Sequence, residues 1–376
     1  MAQEAAIWLP VRPDRSWPLT CAMAARSEWM LSTQSKASVR STSMLCTRLV
    51  SFAAIQAPSC NFTVMIYDSV VTIQQHDQLP QFSLLMSVYA NDSLPQVERA
   101  IASATVEQSL PPTQIVIIRD GRVPDDIARF LQGLPETVAN WFSRSGVSSR
   151  PRPEVTVVPL EVNQGLAHAL NEGLRRCRYD VVARADSDDI SLPERFATMM
   201  PLFAADRTPA IDIAGSAIQE FTGEENRNGQ VRTLPREGAA LERFARMQSP
   251  LHHPSVVFRK SVVLAAGGYP EHVGRFEDYM LWERLMLRHA RFYNVPEALV
   301  LYRVDAGAYQ RRGGLGMFRD ELQLQLKFLH DGFVSLPQFL RNVLVRAVYR
   351  LLPTGFRKSC YHLLVAVRNR LTGDRK

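Results

Sequence analysis

Cysteine is scarce in this chain: five among 376 residues, Cys21, Cys46, Cys60, Cys177 and Cys360, odd in number and with no C-x-x-C pair. That excludes a disulfide-stapled scaffold, gives no zinc-binding pattern and suits a reducing compartment. No run approaches the ~18 consecutive apolar residues that a spanning helix needs, so an integral membrane protein is not expected. Acids are almost missing from one stretch, where Glu28 is the only one between Arg15 and Tyr67. Residues 1–80 also lack sustained helical or strand periodicity. Their composition can mimic a transit peptide or, around "RLVSFAAIQAPSC", a weak secretory core. The reading adopted is a leader that is disordered or not native, with Met65 a candidate start.

What is present is an uneven basic charge. The formal net charge is +7, yet from Arg341 to Lys376 there are nine Lys or Arg and one acid, Asp374. The tail therefore carries +8 and everything upstream about −1. A nucleic-acid binder would spread basic and aromatic residues over its folded body, so that class is not expected.

Order begins at "FSLLMSVYA", a run of strand length. In the next stretch, Ser93 and Gln96 form a capping-box pattern, and Val97, Ala100, Ile101 and Ala104 recur at helical spacing. "QIVIIRDG" and "EVTVVPLEVN" supply two more strands. In "QGLAHALNEGLRRC", Leu166, Ala169, Leu170 and Leu174 share a helix face, and "YDVVARAD" is a fourth strand. Alternating strands and helices predict an α/β fold, a mainly parallel sheet with helices on both faces. Ligands of such sheets lie beyond the carboxyl ends of the strands. Tyr89, Asn91, Asp120, Asn163, Asp186, Asp188 and Asp189 all leave strands at that edge.

Downstream, Asn228-Gly229 offers a hairpin turn, "HHPSVVFRKSVVLAAGGY" reads as strand, short helix and glycine stop, and "EDYMLWERLMLRH" is a helix with Glu277 and Asp278 in its first turn. "ARFYNVPEALVLYRV" reads as two strands around a proline turn.

The acidic run "DSDD" poses the chemical question. Adjacent carboxylates repel, and a hard divalent cation, Mg²⁺ or Mn²⁺, is the simplest compensator, one that shares its remaining sites with phosphates. The bland alternative is that Asp188 or Asp189 caps a helix starting near Pro193. For Asp278 the alternative is stabilisation of a helix N-terminus. His252 and His253 read as structural or as acceptor and diphosphate contacts. Arg303, Arg311 and Arg312 suit phosphate contacts or a solvated Gly-rich loop. His168 reads as a helix-surface residue and Trp282 as core.

Taken in order, "FSLLMSVYAND", "IVIIRDG", "NQGLAHALNEGL", "RADSDDISLPERF", "HHPSVVFRK", "GGY", "FEDYMLW", "LVLYRV" and "RRGG" resemble the family-two glycosyltransferases of the GT-A fold. The likeness is strongest to the amylovoran-type enzymes of bacterial exopolysaccharide and capsule synthesis, and it spans roughly residues 82–350. It implies a GT-A domain over 81–305 and a C-terminal helical region over 306–376. It implies that Asp120 holds a nucleotide base, that Ser87, Val88 and Tyr89 line the nucleotide cleft, and that Asn163, Gly165, Arg184 and Asp186 join them on the donor. It implies further that Asp186 and Asp188 form a D-x-D motif for the metal and diphosphate, and that Asp278, beside Glu277, is the catalytic base. His253, Arg303, Arg311 and Arg312 remain candidate acceptor or diphosphate contacts. Two departures stand out: Arg119 where many relatives carry a second acid, and Met280 where many carry Asp.

The activity expected is inverting transfer from a nucleoside diphosphate sugar to a hydroxyl of a lipid-linked saccharide, polyprenyl diphosphate being the candidate carrier, at the inner face of the cell membrane. "LPQFLRNVLVRAVYRLLP" places Phe339, Leu340, Val343, Leu344, Ala347 and Leu351 on an apolar face, with Arg341, Arg346 and Arg350 as charge. A second such run is "FRKSCYHLLVAVRNRL". Such helices lie at membrane interfaces or pack on a domain with a solvated basic face. A nucleotidyltransferase is the rival enzyme; it would place a basic Gly-rich loop after the first strand, where this chain has "SVYANDS".

Overall fold

A computed structural model describes residues 79–145, 152–271, 273, 275–304 and 315–351. The leader, Arg311, Arg312 and the second basic run lie outside them. The strands are β1 (Phe82–Tyr89), β2 (Gln114–Asp120), β3 (Glu154–Pro159), β4 (Val181–Ala185), β5 (Ile190–Ser191), β6 (Ile213–Phe221), β7 (Val231–Arg232), β8 (Val257–Arg259) and β9 (Phe292–Arg303). The helices are α1 (Leu94–Ser103), α2 (Asp125–Gln132), α3 (Leu134–Arg144), α4 (Leu166–Arg176), α5 (Arg195–Met199), α6 (Gly238–Ala245), α7 (Lys260–Ala265), α8 (Glu277–Leu287), α9 (Leu315–His330) and α10 (Leu336–Leu351).

The sheet order is β3-β2-β1-β4-β8-β6-β9-β5, with β7 paired to β6. The four strands β3, β2, β1 and β4 are parallel, while β8 runs antiparallel to both β4 and β6, making the whole sheet mixed. Period-two alternation sorts the side chains of β2: Ile115 and Ile117 join the core that holds α1 to α3, and Val116 and Ile118 join the one beneath α4. Close helix–sheet contact explains Gly173, where a Cβ would stand 2.2 Å from Leu85 Cδ1.

Three local expectations are corrected. The Ser93 capping box does not form; Ser93 is the N-cap of α1 without a side-chain bond, and Asp92 Oδ2 accepts the Tyr89 N–H instead, at 2.9 Å. The proline turn at Pro296 does not split a strand pair: β9 is continuous, and a bulge against β6 absorbs the exposed Pro296 and Glu297. The hairpin near Asn228-Gly229 is real but wide, with Ile218 opposite Arg232.

The C-terminal helices are not a loose appendage. Leu324 and Phe328 of α9, with Phe333 and Val334, form one core with Tyr279 and Met280 of α8. Met280 thus serves packing, as its position beyond the acidic pair suggests. The other side of α8, Leu281, Trp282 and Leu285, is buried in the core under α4.

Candidate functional site

The site gathers at the ends of β1, β2 and β4. Asp120 is buried, and its two carboxylate oxygens accept the N–H groups of Gln164 (3.0 Å) and Gly165 (3.1 Å) at the start of α4. Asn163 Nδ2 donates to the Asp120 carbonyl at 3.2 Å. Gly121 makes this closure possible: its φ is +80° and an added Cβ would lie 2.5 Å from Asn163 N. Asp120, Asn163 and Gly165 are therefore one hydrogen-bonded unit, with Asp120 as its brace. Ser87 and Tyr89 border this edge, whereas the Val88 side chain is wholly buried in the core and brings only backbone to it.

Arg184 lies at the end of β4, its guanidinium almost fully buried and bonded to both oxygens of Asp186, with Nη1 to Oδ2 at 2.9 Å. Burial opposes its charge, but Asp186, Tyr269 and Asp189 outweigh burial and hold the guanidinium above its ordinary pKa. Burial, then Asp186 and Asp92, push Asp188 up to about 6. Burial, then Asp186 and Asp188, raise Asp189 well above the usual carboxylate range. Neither residue caps a helix: α5 begins after Glu194 without a side-chain cap, and Asp189 Oδ1 accepts the Arg303 N–H at 2.8 Å.

The Glu277-Asp278 pair enters the same field. Burial, then Glu277, push Asp278 up to about 7, and Arg184 pulls the other way. Burial raises Glu277, Arg184 lowers it, and Asp186 raises it again. Asp186 and Glu277 thus repel one another across a space where Arg184 is the shared cation. The acidic run and the "ED" pair are thereby coupled electrostatically.

Fit to a divalent cation follows from the oxygens present. Asp186 and Asp188 are partly exposed, Asp92 acts on both, and buried Asp189 Oδ2 has no hydrogen-bond partner among the described residues. An all-oxygen donor set suits Mg²⁺ or Mn²⁺. No group of three or more His, Cys, Asp or Glu encloses a metal among the described residues, so such an ion would take the rest of its shell from phosphate and water.

Other expected residues fall differently. His253 Nε2 meets Tyr269 Oη at 3.0 Å, and its ring lies edge-on to Trp282. Burial, then Arg184, hold it well below its ordinary pKa, so it is a neutral imidazole. His252 is driven to about 4 by burial and contacts the Arg232 carbonyl. Arg303 spends Nε on the Asp188 carbonyl and Nη1 on the Gly223 carbonyl, with its guanidinium 4.4 Å above the Phe221 ring. It steadies the acidic loop rather than reaching out from it. His168 is not a bare surface residue: its Nδ1 lies 3.1 Å from Glu271 Oε2, while Asn171 donates to Glu271 Oε1 and to the Tyr269 carbonyl.

Three contributors escaped sequence reasoning. Asp92 lies past the first strand, beside the polar residues picked there. Tyr269 sits in "GGY", whose glycines read only as a helix stop. Arg195 is wholly buried, donating to the Arg184 and Pro254 carbonyls and to Ser191 Oγ. A charged residue on an amphipathic pattern gives no signal that it points inward. Arg119 lines a hollow of about 720 Å³ with Asp125 and Arg129, away from the acidic cluster.

Comparison with known proteins agrees with this architecture. Residues 83–263 match the family described as Glycosyl transferase family 2. The Amylovoran biosynthesis glycosyltransferase AmsE of Erwinia amylovora is 33% identical over 283 residues, 74% of this chain and 97% of that protein. The UDP-Gal:alpha-D-GlcNAc-diphosphoundecaprenol beta-1,3-galactosyltransferase of Escherichia coli is 30% identical over 289 residues, 77% of this chain and 98% of that protein. Among solved structures, S. aureus TarS 1-349 in complex with UDP-GlcNAc superimposes with a TM-score of 0.51 at 17% identity, covering 71% of this chain and 72% of that one. At that identity the likeness concerns the fold, which is of the GT-A kind.

Proposed function

Because the chain belongs to glycosyl transferase family 2 and is a glycosyltransferase, we propose that it moves a sugar from a nucleoside diphosphate sugar to a hydroxyl of a lipid-linked saccharide, with inversion, in assembly of a bacterial surface polysaccharide. The relatives named above, one acting in amylovoran biosynthesis and one on a diphosphoundecaprenol-linked sugar, support the reaction class and the lipid carrier. The observation that carries the mechanism is the shared field of Arg184, Asp186, Glu277 and Asp278.

Asp278 accepts the proton of the acceptor hydroxyl. The hydroxyl oxygen attacks the anomeric carbon as the bond to the diphosphate oxygen breaks, and the electron pair leaves with the nucleoside diphosphate. With a proton affinity near neutrality, Asp278 is strong enough as a base yet becomes largely ionised by about one pH unit above its pKa of about 7. Arg184 keeps Glu277 and Asp278 from both taking up protons, and it holds Asp186 toward the donor side. A divalent cation on Asp186 and Asp188 would supply charge neutralisation for the diphosphate. Asp120, Asn163 and Gly165 shape the nucleotide end. No helix among the described residues is long and apolar enough to cross a membrane. Action on a lipid-linked acceptor at the cytoplasmic face would bring the enzyme to the membrane surface.

The test is a panel of nucleotide sugars with Mn²⁺ and a saccharide linked through diphosphate to a short lipid. Product formation with one donor, lost in Asp278→Asn, is the expected result. Hydrolysis or transfer with no donor in the panel would overturn the reading.

A further inference from the structure

α10 leaves an apolar stripe on its outer side. Leu336, Leu340, Leu344 and Val348, each four residues on from the last, are 58, 58, 66 and 53% exposed. The face turned toward the fold is mixed: Phe339 packs against the core that α9 shares with α8, and polar groups fill the rest. Asn342 is 1% exposed and donates to the Arg246 carbonyl and to Gln325 Oε1. Arg346 donates to the Met247 carbonyl at 2.6 Å, and Arg350 pairs with both oxygens of Glu321 at 3.0 and 2.7 Å. Residues four apart stack on one helix face, so the four side chains form a stripe about 18 Å long. A helix whose only task was to pack on α9 would show the reverse pattern. Of the two sequence-based readings, the one with a solvated basic face does not hold for Arg346 and Arg350, which are anchors; Leu340 and Leu344 of the expected apolar face turn outward, while Phe339 packs inward.

We propose that this stripe is a docking face for an anionic lipid bilayer, resting on the reading that the acceptor is lipid-linked. Charge selects the occupant. Arg341 is exposed on α10, and the sequence that follows the helix carries six more basic residues and one acid, so a second copy docked stripe to stripe would bring together two segments of the same positive sign. Anionic headgroups reward the same charge, and the leucines fill the acyl boundary beneath them. The position has a use: α10 packs on α9, and α9 shares its core with Tyr279 and Met280, next to Asp278. Docking would hold the helix that carries the base within one layer of helices from the membrane.

The test uses the full chain and the Leu340→Asp/Leu344→Asp double variant, whose altered side chains are exposed and carry no fold contacts of consequence. Sedimentation is measured with phosphatidylglycerol–phosphatidylcholine vesicles and with phosphatidylcholine alone. The wild type is expected to sediment with the anionic vesicles, and the double variant to bind them more than about 30-fold more weakly. Both should transfer sugar equally to a water-soluble, short-chain acceptor. Equal vesicle binding by the two proteins, or no wild-type preference for anionic vesicles, would overturn the proposal. So would a wild-type dimer that the double variant splits, which would assign the stripe to a second copy. If the wild type docks but transfers sugar to no acceptor, the reaction reading fails and the docking face stands.

Discussion

Arg184 and Asp186, two residues apart at the end of β4, close a two-point ion pair whose guanidinium also acts on the Glu277-Asp278 pair. Its consequence is that one buried cation answers for carboxylates from two distant parts of the chain. Arg184→Met should leave those carboxylates uncompensated, costing about 3 kcal/mol, the lower end for a broken buried pair because Asp186 keeps some solvent. Thermal melting measures this. Donor affinity should fall with it, and a melting temperature within a degree of wild type would refute the central role given to Arg184.

Asp278→Asn should lower kcat by roughly 10² to 10⁴ while donor binding persists. In the wild type, rate should fall as pH drops below about 7, because the base must be ionised. Stability moves the other way. The folded pKa lies above the unfolded value, so the stability this group contributes is complete at low pH and lost as pH rises through about 7. Asp278→Asn escapes that loss and should melt higher than wild type at pH 8, by an amount worth on the order of 1–3 kcal/mol.

Chelation by EDTA should abolish transfer, with recovery on adding Mn²⁺ or Mg²⁺. Asp188→Asn should weaken nucleoside diphosphate binding by about tenfold or more in the presence of metal, and much less in its absence. Calorimetry with and without the ion separates the two. Equal loss in both conditions would remove Asp188 from the metal site.

Gly121→Ala should cost more than about 2 kcal/mol, since it adds a positive-φ penalty to a clash with Asn163. Its signature is a raised KM for the donor, because the unit of Asp120, Asn163 and Gly165 is displaced. A KM unchanged from wild type would detach that unit from donor binding.

The parallel half of the fold was legible because its strands and helices carry their burial in local periodicity: Val97, Ala100 and Ile101, or Ala169, Leu170 and Leu174, lie where spacing put them. The gathering of acids at one sheet edge was legible for a related reason: Asp120, Asp186, Asp188 and Asp189 directly end or follow strands that alternate with helices. Burial of single charges was not. Arg195 and Arg303 are fixed by carbonyls from remote segments, and no spacing along the chain announces such partners. α10 misled in the opposite sense: its apolar and polar faces were visible, but only tertiary structure tells which of them is turned inward.

The bulge in β9 has a reach beyond its own neighbourhood. Twelve residues of β9 run beside nine of β6, and Arg303, the last of the twelve, lands where its backbone N–H meets Asp189. The surplus of three residues, Pro296, Glu297 and Leu299, works as a length adjuster along a rod. Shortening it by one residue would swap the inward and outward faces of everything beyond it and pull Arg303 off its carboxylate. An insertion or deletion there, distant from every reacting atom, would silence the enzyme by mis-setting a ruler.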